Sequence, residues 1–220
     1  FKIASGDLTN TPLLEYIAKF KKPMIVSTGM ANMKEIKRAI KVIKEAGNEK
    51  IILLHCTTNY PCPIEEVNLK AMQTMAKIFE FPVGYSDHTL GIQVPVMAAT
   101  LGARVIEKHF TLDKTFTGPD HKASLEPDEL QEMIKQIRNI DTILGSEKKA
   151  PNKSELSMIK TIRKSIVTLG PIEKGEKLTS QNIGIKRPGT GLLPKYYAKL
   201  LGKKAKHSFE TGEVLSKKDL

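Results

Sequence analysis

The sequence lacks most of the features that would place it in a specialised class of protein. It has no tryptophan, and aromatic residues make up 5% of its 220 residues. Its two cysteines, Cys56 and Cys62, are too few for a disulfide framework, so we expect reduced, partly buried thiols. No apolar run approaches membrane-spanning length, and no signal-peptide pattern opens the chain. We therefore expect a cytoplasmic protein that makes no contact with a membrane.

Negative charge is also under-represented, with 24 Asp and Glu against 35 Lys and Arg and a formal net charge of +11. Such a charge can indicate a nucleic-acid partner, but dedicated binders usually concentrate their basic residues on one face. Here the lysines are dispersed along predicted helix faces and aromatic residues are scarce. A small anionic substrate explains the charge better, and we expect no nucleic-acid partner.

Short apolar runs alternate with amphipathic stretches through the first two thirds of the chain. The predicted strands are Lys2–Gly6, Met24–Ser27, Ile51–Cys56, Val83–Ser86 and Val105–His109. The predicted helices are Pro12–Phe20, Asn32–Ala46, Glu65–Phe79, Gly91–Leu101 and Pro127–Leu144. Five successive βα units imply an α/β fold with a parallel sheet.

The loops after these strands decide which α/β fold is expected. No G-x-G-x-x-G or P-loop follows any strand, and polar residues collect after one strand after another, which favours a barrel over a Rossmann fold. Five strands cannot close a (β/α)₈ barrel. Because the chain starts at Phe1 in a strand-like run without Met, we expect the last five units of a TIM-type barrel whose earlier part is absent; the alternative is an open sheet.

The remainder of the chain has a different composition. We predict a barrel portion at residues 1–148, a charged, turn-rich linker at 149–164 and a small β-rich module at 165–220. Within the module, E-K-G-E-K-L-T-S-Q-N-I at Glu173–Ile183 matches E-T-G-E-V-L-S-K-K-D-L at Glu210–Leu220. Each copy reads as a glycine turn, a short strand and a capped helical turn.

Two histidines end neighbouring predicted strands. His88 and His109 lie at the carboxyl ends of parallel strands about 4.8 Å apart, so both imidazoles can face one small volume that would hold a metal ion. Strand-end histidines can equally be hydrogen-bonded structural residues. The metal interpretation is favoured by a polar neighbourhood unsuited to a packed core, made up of Ser86, Asp87, Glu107, Lys108 and Asp120.

Seven motifs together resemble the sialic acid synthase family, which includes N-acetylneuraminate and N,N'-diacetyllegionaminate synthases. They are K-I-A-S-G-D, S-T-G-M, H-C-T-T-N-Y-P, Y-S-D-H-T, E-K-H-F-T, G-P-D-H and K-R-P-G-T-G, in this order. The resemblance implies a TIM barrel with a C-terminal antifreeze-like (SAF) domain. It also implies condensation of phosphoenolpyruvate with an N-acylated mannose-type sugar, releasing phosphate, with a divalent metal, typically Mn²⁺.

The residues at hand suit this chemistry. A metal held by His88 and His109 can act as a Lewis acid on an aldehyde. For the phosphate and carboxylate of phosphoenolpyruvate, the family-matched candidates are Lys2, Ser5, Ser27 and Ser86. Strict strand alternation puts Lys2 on the face opposite Ser5, so a bulge or a strand-end position is required. The backbone N–H groups of residues 28–30, before a predicted helix, could also serve an anion.

The resemblance implies roles for three further residues of the barrel portion. Asp7 matches a carboxylate near the reacting carbon, although it could instead cap the turn that follows it. Tyr60 and Asp120 match substrate-contacting positions, although Tyr60 could be an ordinary loop aromatic and Asp120 could stabilise its turn. Glu107 either orients a metal-bound group or pairs with Lys108. His55, His121 and His207 are interpreted as structural.

Arg187 is the candidate functional residue of the small module. The resemblance implies that it reaches into a partner's barrel and binds the N-acyl end of the sugar, and hence that the protein is a domain-swapped homodimer. An exposed arginine before proline is otherwise a solvated residue.

Departures from the family pattern leave the acceptor sugar open. Thr58 stands where some neuraminate synthases have Asn, with Asn59 as a possible substitute. Two other functions stay open as well. They are another metal-dependent aldol-type barrel enzyme, and a non-catalytic carbohydrate-binding or ice-binding protein built on the antifreeze-like module.

Overall fold

The computed structural model describes all 220 residues and divides into two compact units, residues 1–145 and residues 146–220. Each unit has its own cluster of buried apolar side chains. No helix has the length and apolar character that crossing a membrane would require. The two units are therefore described separately.

Unit 1 contains the predicted parallel sheet. Its strands are β1 Lys2–Ile3, β2 Met24–Ser27, β3 Ile51–His55, β4 Val83–Asp87 and β5 Ile106–Lys108. All neighbours are parallel and the strands lie side by side in chain order, forming a curled half-barrel. This order brings all five carboxyl ends to one edge of the sheet, which confirms the predicted fold class.

The helices of unit 1 follow the strands one by one. They are α1 Thr11–Ala18, α2 Met33–Glu45, α3 Leu69–Phe79, α4 Gln93–Thr100 and α5 Pro127–Leu144. The predicted capping pair closes the start of α2, where Asn32 and Glu35 exchange side-chain and backbone hydrogen bonds. Pro127 occupies the first turn of α5, where its missing N–H leaves no helical bond unmade.

Side chains of the strands separate onto two faces. Val26, Val83 and Tyr85 are buried in the apolar cluster shared with the helices. Ser27 and Ser86 are also buried, but they line a cleft on the other face. The alternation of a strand therefore turns one residue in two toward the helices and the other toward the barrel interior.

Unit 2 begins at Ser146, three residues before the predicted linker. Residues 149–164 are not all turn, because they contain helix α6, Lys153–Ile162, capped by Asn152 and Glu155. Strands β6 Ser165–Thr168 and β7 Ile183–Lys186 then form an antiparallel pair, and a short helix α7 covers Tyr197–Leu200. The core is small and includes Ile166, Ile183, Leu200 and Leu215.

The internal repeat of unit 2 is visible in its hydrogen bonds. In both copies a glutamate carboxylate accepts a hydrogen bond from the backbone N–H three residues earlier, Glu176 from Glu173 and Glu213 from Glu210. A second hydrogen bond of the same three-residue span closes each copy, and we call each such bond a bracket. In it Asn182 accepts from Thr179 N–H and Asp219 accepts from Ser216 N–H. Each copy also places a glycine at positive φ after its first glutamate, Gly175 at 87° and Gly212 at 80°.

Candidate active site

A cleft of ≈ 270 Å³ opens where the strands of unit 1 end. Carboxyl ends of barrel strands are where TIM-barrel enzymes build their sites. Most of the candidate residues predicted in unit 1 meet here. The cleft is lined by Lys2, Ala4, Ser5, Gly6, Ser27, Thr58, Tyr60, Ser86, His88, Glu107 and His109.

The two predicted metal-binding histidines lie side by side. The ring centroids of His88 and His109 are 5.5 Å apart, with the rings inclined at 70°. The Tyr60 ring covers both, with its centroid 4.1 Å from that of His88 and 5.5 Å from that of His109. Tyr60 is 46% exposed, so it forms the outer wall of the cleft above the imidazoles.

The tautomer of His88 follows from its neighbours. Its Nδ1 lies 2.7 Å from the Thr57 carbonyl oxygen, which can only accept, so Nδ1 carries the proton. Nε2 then carries the lone pair, lies 3.5 Å from Ser86 Oγ, and can bind a metal. Burial lowers the pKa of His88, and the neighbouring His109 lowers it further, against the opposing effect of the Thr57 carbonyl. His88 is therefore a neutral imidazole at neutral pH, the form that binds metals.

A carboxylate accompanies His109. The Nδ1 of His109 lies 3.8 Å from the Oδ2 of Asp120, which is itself exposed and does not line the cleft. Carboxylates commonly hold the outer nitrogen of a metal-binding imidazole and so direct its other nitrogen toward the ion. Asp120 is positioned for this indirect role. Its backbone carbonyl also accepts a hydrogen bond from Ser124.

Glu107 connects two other residues of the cleft. Ser86 Oγ donates a hydrogen bond to Glu107 Oε1 at 2.8 Å, and Lys2 Nζ lies 3.4 Å from the same oxygen. Pairing of Glu107 with Lys108 does not occur, because the two side chains leave opposite faces of β5. Lys2 reaches the cleft without a bulge. Strand β1 ends at Ile3, and Ser5 lies in a 3₁₀ turn to which strand alternation does not apply.

Ser27 is the one cleft residue with an unsatisfied buried hydroxyl. It is 3% exposed, and its Oγ has no hydrogen-bond partner in the protein. A buried polar group without a partner costs free energy, on the order of 1–3 kcal/mol. A ligand oxygen in the cleft would satisfy it. This hydroxyl is thus a local indication that the cleft is built for a polar ligand.

Ser5 belongs to a tight contact at the base of the cleft. The Gly29 N–H donates to Ser5 Oγ at 3.0 Å, and Ser5 Oγ lies 3.2 Å from Cys56 Sγ. A side chain on Gly29 would place its Cβ 2.2 Å from Thr58 Oγ1, so only glycine fits. Because the Thr28 N–H is bonded to the Leu54 carbonyl, two of the three backbone donors expected to serve an anion are already used inside the protein.

Some predicted residues lie elsewhere. Asp7 sits in the 3₁₀ turn after β1, accepts a hydrogen bond from Asn10 at 3.4 Å, and does not line the cleft. The helix cap of α1 is Asn10 rather than Asp7. Asn59 reaches toward Glu66 at 3.5 Å, so Thr58 is the residue that the cleft presents at this point. Arg187, in unit 2, is exposed and makes no hydrogen bond or ion pair.

The remaining histidines have structural partners. His55 bonds the Val67 carbonyl at 2.9 Å and His121 bonds the Thr111 hydroxyl at 2.8 Å. Both cysteines are free and buried. Pattern reading gave Cys56 no part in the site, although its position directly before the T-T-N-Y-P turn places it at a strand end beside Ser5.

The donor set fits a divalent metal with open coordination positions. Two imidazoles suit Mn²⁺, Co²⁺ or Zn²⁺, and each has an oxygen acceptor near its outer nitrogen. No group of three or more His, Cys, Asp or Glu side chains is arranged to hold a metal. An ion at His88 and His109 would therefore keep several positions for water or substrate.

The half-barrel with a polar cleft at its strand ends defines a TIM-barrel type of α/β protein. Comparison with family models is more specific, since the NeuB family model matches residues 1–149 and the SAF domain model matches residues 163–220. The chain belongs to the NeuB family. The resemblance to sialic acid synthases read from the seven motifs is thereby confirmed.

Named relatives agree with this assignment. The chain is 50% identical over 217 residues to the N,N'-diacetyllegionaminic acid synthase of Campylobacter jejuni, covering 98% of this chain and 65% of the relative. It is 38% identical over 217 residues to human N-acetylneuraminate-9-phosphate synthase, covering 98% of this chain and 60% of that protein. The chain thus spans less than two thirds of the length of these relatives.

Solved structures support the same fold. A spore coat polysaccharide biosynthesis protein from Bacillus subtilis matches with a TM-score of 0.64 and 36% identity, over 100% of this chain and 66% of that one. The sialic acid synthetase of Leptospira borgpetersenii, in complex with citrate, matches with a TM-score of 0.64 and 42% identity, over 72% and 55%. A 3-deoxy-D-arabino-heptulosonate 7-phosphate synthase from Thermotoga maritima, 20% identical with a TM-score of 0.56 over 65% and 58%, shares the fold.

Proposed function

We propose that the complete protein is a nonulosonic acid synthase that condenses phosphoenolpyruvate with an N-acylated mannose-type sugar and releases phosphate. The observation that carries the proposal is the composition of the cleft. It combines a lysine, an unsatisfied buried serine hydroxyl and two adjacent imidazoles at the strand ends of a half-barrel. Membership of the NeuB family and relatives named for such syntheses support it.

The phosphate and carboxylate of phosphoenolpyruvate would bind among Lys2, Ser5, Ser27 and Ser86. Lys2 supplies the cation, and Glu107 holds its ammonium group in place at 3.4 Å. Ser27 can donate its hydroxyl directly to an oxygen of the anion, whereas Ser86 would have to turn its hydroxyl away from Glu107 in order to donate. The side chains thus offer a cation and hydroxyls within one small volume.

His88 and His109 would hold a divalent metal, which we propose to be Mn²⁺. When bound, the metal supplies Lewis-acid activation of the sugar aldehyde toward the enol carbon of phosphoenolpyruvate. The chain's own contribution is to orient both imidazoles, His88 through Thr57 and His109 beside Asp120, and to keep His88 neutral through burial. Tyr60 limits access of water to these rings from outside. Asp7, in the turn after β1, would act on the substrate only when the sugar is bound near that turn.

The acceptor sugar is proposed to be 2,4-diacetamido-2,4,6-trideoxymannose. Two relatives named N,N'-diacetyllegionaminic acid synthase are 50% and 44% identical to the chain, whereas a pseudaminic acid synthase is 41% and the human N-acetylneuraminate-9-phosphate synthase 38% identical. N-Acetylmannosamine is the competing acceptor. Arg187 would bind the N-acyl end of the sugar from a partner subunit, in a domain-swapped homodimer.

The proposal is tested by measuring phosphate release from phosphoenolpyruvate by the complete protein with each sugar and with Mn²⁺. We expect release with the diacetamido sugar and at least 10³-fold less with the His109→Ala variant, because several kcal/mol of charge stabilisation depend on the metal. Lys122→Ala, an exposed change in the same region of the chain, is the control and should leave the rate unchanged.

Two results would contradict the proposal. Absence of phosphate release with every N-acylated sugar would favour a different aldol-type barrel enzyme. Sugar-acid binding that survives in a His88→Ala/His109→Ala variant without metal would favour a non-catalytic carbohydrate-binding protein.

A further inference from the structure

A buried ion pair is formed by the two residues that directly precede the candidate metal-binding histidines in the chain. The Nζ of Lys108 lies 2.6 Å from the Oδ2 of Asp87, and the two side chains are 2% and 0% exposed. In every other ion pair of the protein, at least one side chain is 37% exposed or more. Burying two charges is costly in free energy, and a buried pair is weak evidence of a stabilising role. The geometry indicates a different role.

The hydrogen bonds of this ion pair hold the residues on either side of His88. The Thr89 N–H and hydroxyl donate to Asp87 Oδ1 at 3.1 and 2.9 Å, and Lys108 donates to the Thr89 carbonyl oxygen. His88 therefore lies between two residues that are bonded to each other and to the same lysine. The turn that carries its imidazole cannot rotate without breaking this network.

The ion pair also fixes the register between strands β4 and β5. Asp87 and Lys108 are register partners in β4 and β5, and the next residue of each chain segment is His88 or His109. Side-chain alternation puts the ion pair on the helix face of the sheet and the histidines on the cleft face. A slip of one residue would separate the imidazoles and turn one of them away from the cleft.

We infer that Asp87 and Lys108 are positioning residues for the divalent cation, because their ion pair and its bonds to Thr89 set the separation and direction of the His88 and His109 imidazoles. This inference rests on the proposed function, since it takes a divalent cation as the shared ligand of the two histidines. Neither residue touches the cleft. Their effect reaches the cation only through the strands that they lock.

The inference is tested with the double variant Asp87→Asn/Lys108→Met in the complete protein. The double change avoids leaving one buried charge unpaired, which a single change would do. Mn²⁺ binding is measured by isothermal titration calorimetry and the coordination of Co²⁺ by its visible absorption. We expect the Mn²⁺ dissociation constant to rise about 10- to 100-fold, as for other groups that orient metal ligands, together with a changed Co²⁺ spectrum.

A matched control separates positioning from stability. Ile43 is fully buried in α2, away from β4 and β5, so Ile43→Ala lowers the melting temperature by removing core contacts. We expect its Mn²⁺ dissociation constant and Co²⁺ spectrum to stay within twofold of the parent. An unchanged Mn²⁺ dissociation constant in the double variant, with a lowered melting temperature, would overturn the inference.

A milder variant decides the question if the double variant does not fold. Thr89→Val keeps the side-chain shape but removes the hydroxyl that donates to Asp87 at 2.9 Å. We expect the Mn²⁺ dissociation constant to rise about threefold or more, and no change would overturn the inference. Failure of the parent to bind Mn²⁺ would overturn the metal proposal and the inference together. If the parent binds Mn²⁺ and His109→Ala abolishes that binding, the metal proposal holds. The double variant and Thr89→Val then test the inference alone.

Discussion

The two units of the chain use charge in opposite ways. Residues 1–145 contain 18 Lys and Arg against 17 Asp and Glu, whereas residues 146–220 contain 17 against 7. Nearly all of the net charge therefore belongs to unit 2, although the predicted chemistry belongs mainly to unit 1. In unit 1 the charged groups that matter are few, partly or wholly buried, and paired, such as Asp87 with Lys108 and Lys2 with Glu107.

The position of the candidate site cannot be inferred from the distribution of net charge. Net charge would direct attention to the lysine-rich surface of unit 2, whose cations are mostly solvated. The candidate site instead depends on the alternation of polar and apolar residues along the strands of unit 1. Unit 2 offers one candidate, Arg187, and its proposed function lies outside its own unit.

The largest expected effect concerns the folding of each unit. A Cβ on Gly84 would lie 2.2 Å from the Val105 backbone oxygen, and one on Gly191 would lie 2.5 Å from the Leu215 backbone oxygen. Because backbone atoms cannot move aside cheaply, we expect Gly84→Ala and Gly191→Ala each to lower the free energy of unfolding of its unit by about 3 kcal/mol. Hydrogen exchange, resolved by peptide, measures the loss of protection in each unit.

Two glycines provide matched controls for this comparison. A Cβ on Gly6 in unit 1 or Gly170 in unit 2 would meet no atom within 4 Å, and neither glycine has positive φ. Alanine at these positions should leave exchange rates within about twofold of the parent. If Gly84→Ala behaves like Gly6→Ala, the close strand packing described for β4 is wrong.

The second-largest expected effect concerns Arg187 of unit 2 and its proposed role in binding the sugar. Arg187→Ala should raise the Michaelis constant of the complete protein for the sugar by a factor that corresponds to about 1–3 kcal/mol of lost binding free energy. The Michaelis constant for phosphoenolpyruvate should rise far less. Arg163→Ala, an exposed arginine of the same unit, is the control and should change neither constant. Steady-state kinetics with both substrates provide the measurement.

Mixing subunits distinguishes action within a chain from action across a dimer. Arg187→Ala subunits and His109→Ala subunits each lack one element of the site, but a domain-swapped heterodimer would contain one site with both groups intact. Partial recovery of activity on mixing is expected. No recovery, in samples where mass spectrometry shows heterodimers, would mean that Arg187 does not serve a partner's barrel.

The smallest effect is a pH dependence of opposite sign in the two units. Burial lowers the pKa of His55 in unit 1, so its contribution to stability is present above its ordinary value near 6.5 and is lost as the pH falls. In unit 2 the pKa of His207 is raised by its bond to the Ser208 carbonyl and by Asp219. Its contribution is present below about pH 6.5 and is lost as the pH rises through the raised pKa.

Nuclear magnetic resonance titration of the imidazole protons measures both values directly. The His55 signal should titrate below, and the His207 signal above, that of a histidine in an unfolded peptide. The Asp219→Asn variant should move the His207 pKa downward and leave that of His55 unchanged. Equal pKa values for the two histidines would remove this contrast between the units.

Regular elements with strong periodicity could be predicted from the sequence. Strand Met24–Ser27 and helix Pro127–Leu144 have the predicted bounds, because their flanking turns and caps are local signals. Strand β1 is shorter than predicted because residues 5–7 close into a 3₁₀ turn. Helix α3 starts at Leu69 rather than Glu65, because the chain passes through a separate 3₁₀ turn and Asn68 has a φ of 48°.

The partners of the site side chains could be predicted only in part. Strand alternation placed His88 and His109 on one face, since their register depends on local pattern alone. It could not show that Lys2 pairs with Glu107, because that contact joins the first and last strands of the sheet. The Asp87–Lys108 pair had a signal in the sequence, since each residue directly precedes a strand-end histidine and both must face away from the cleft.

The matching brackets of unit 2 carry a consequence for its origin and its engineering. Two eleven-residue stretches with the same spacing of glutamate, glycine and cap residue form the same local bonds, as the duplication of one ancestral segment would leave them. We therefore expect the two segments to be interchangeable. The cap T-S-Q-N of the first copy and S-K-K-D of the second could be exchanged between positions, which makes the module a ready host for recombined or consensus sequences.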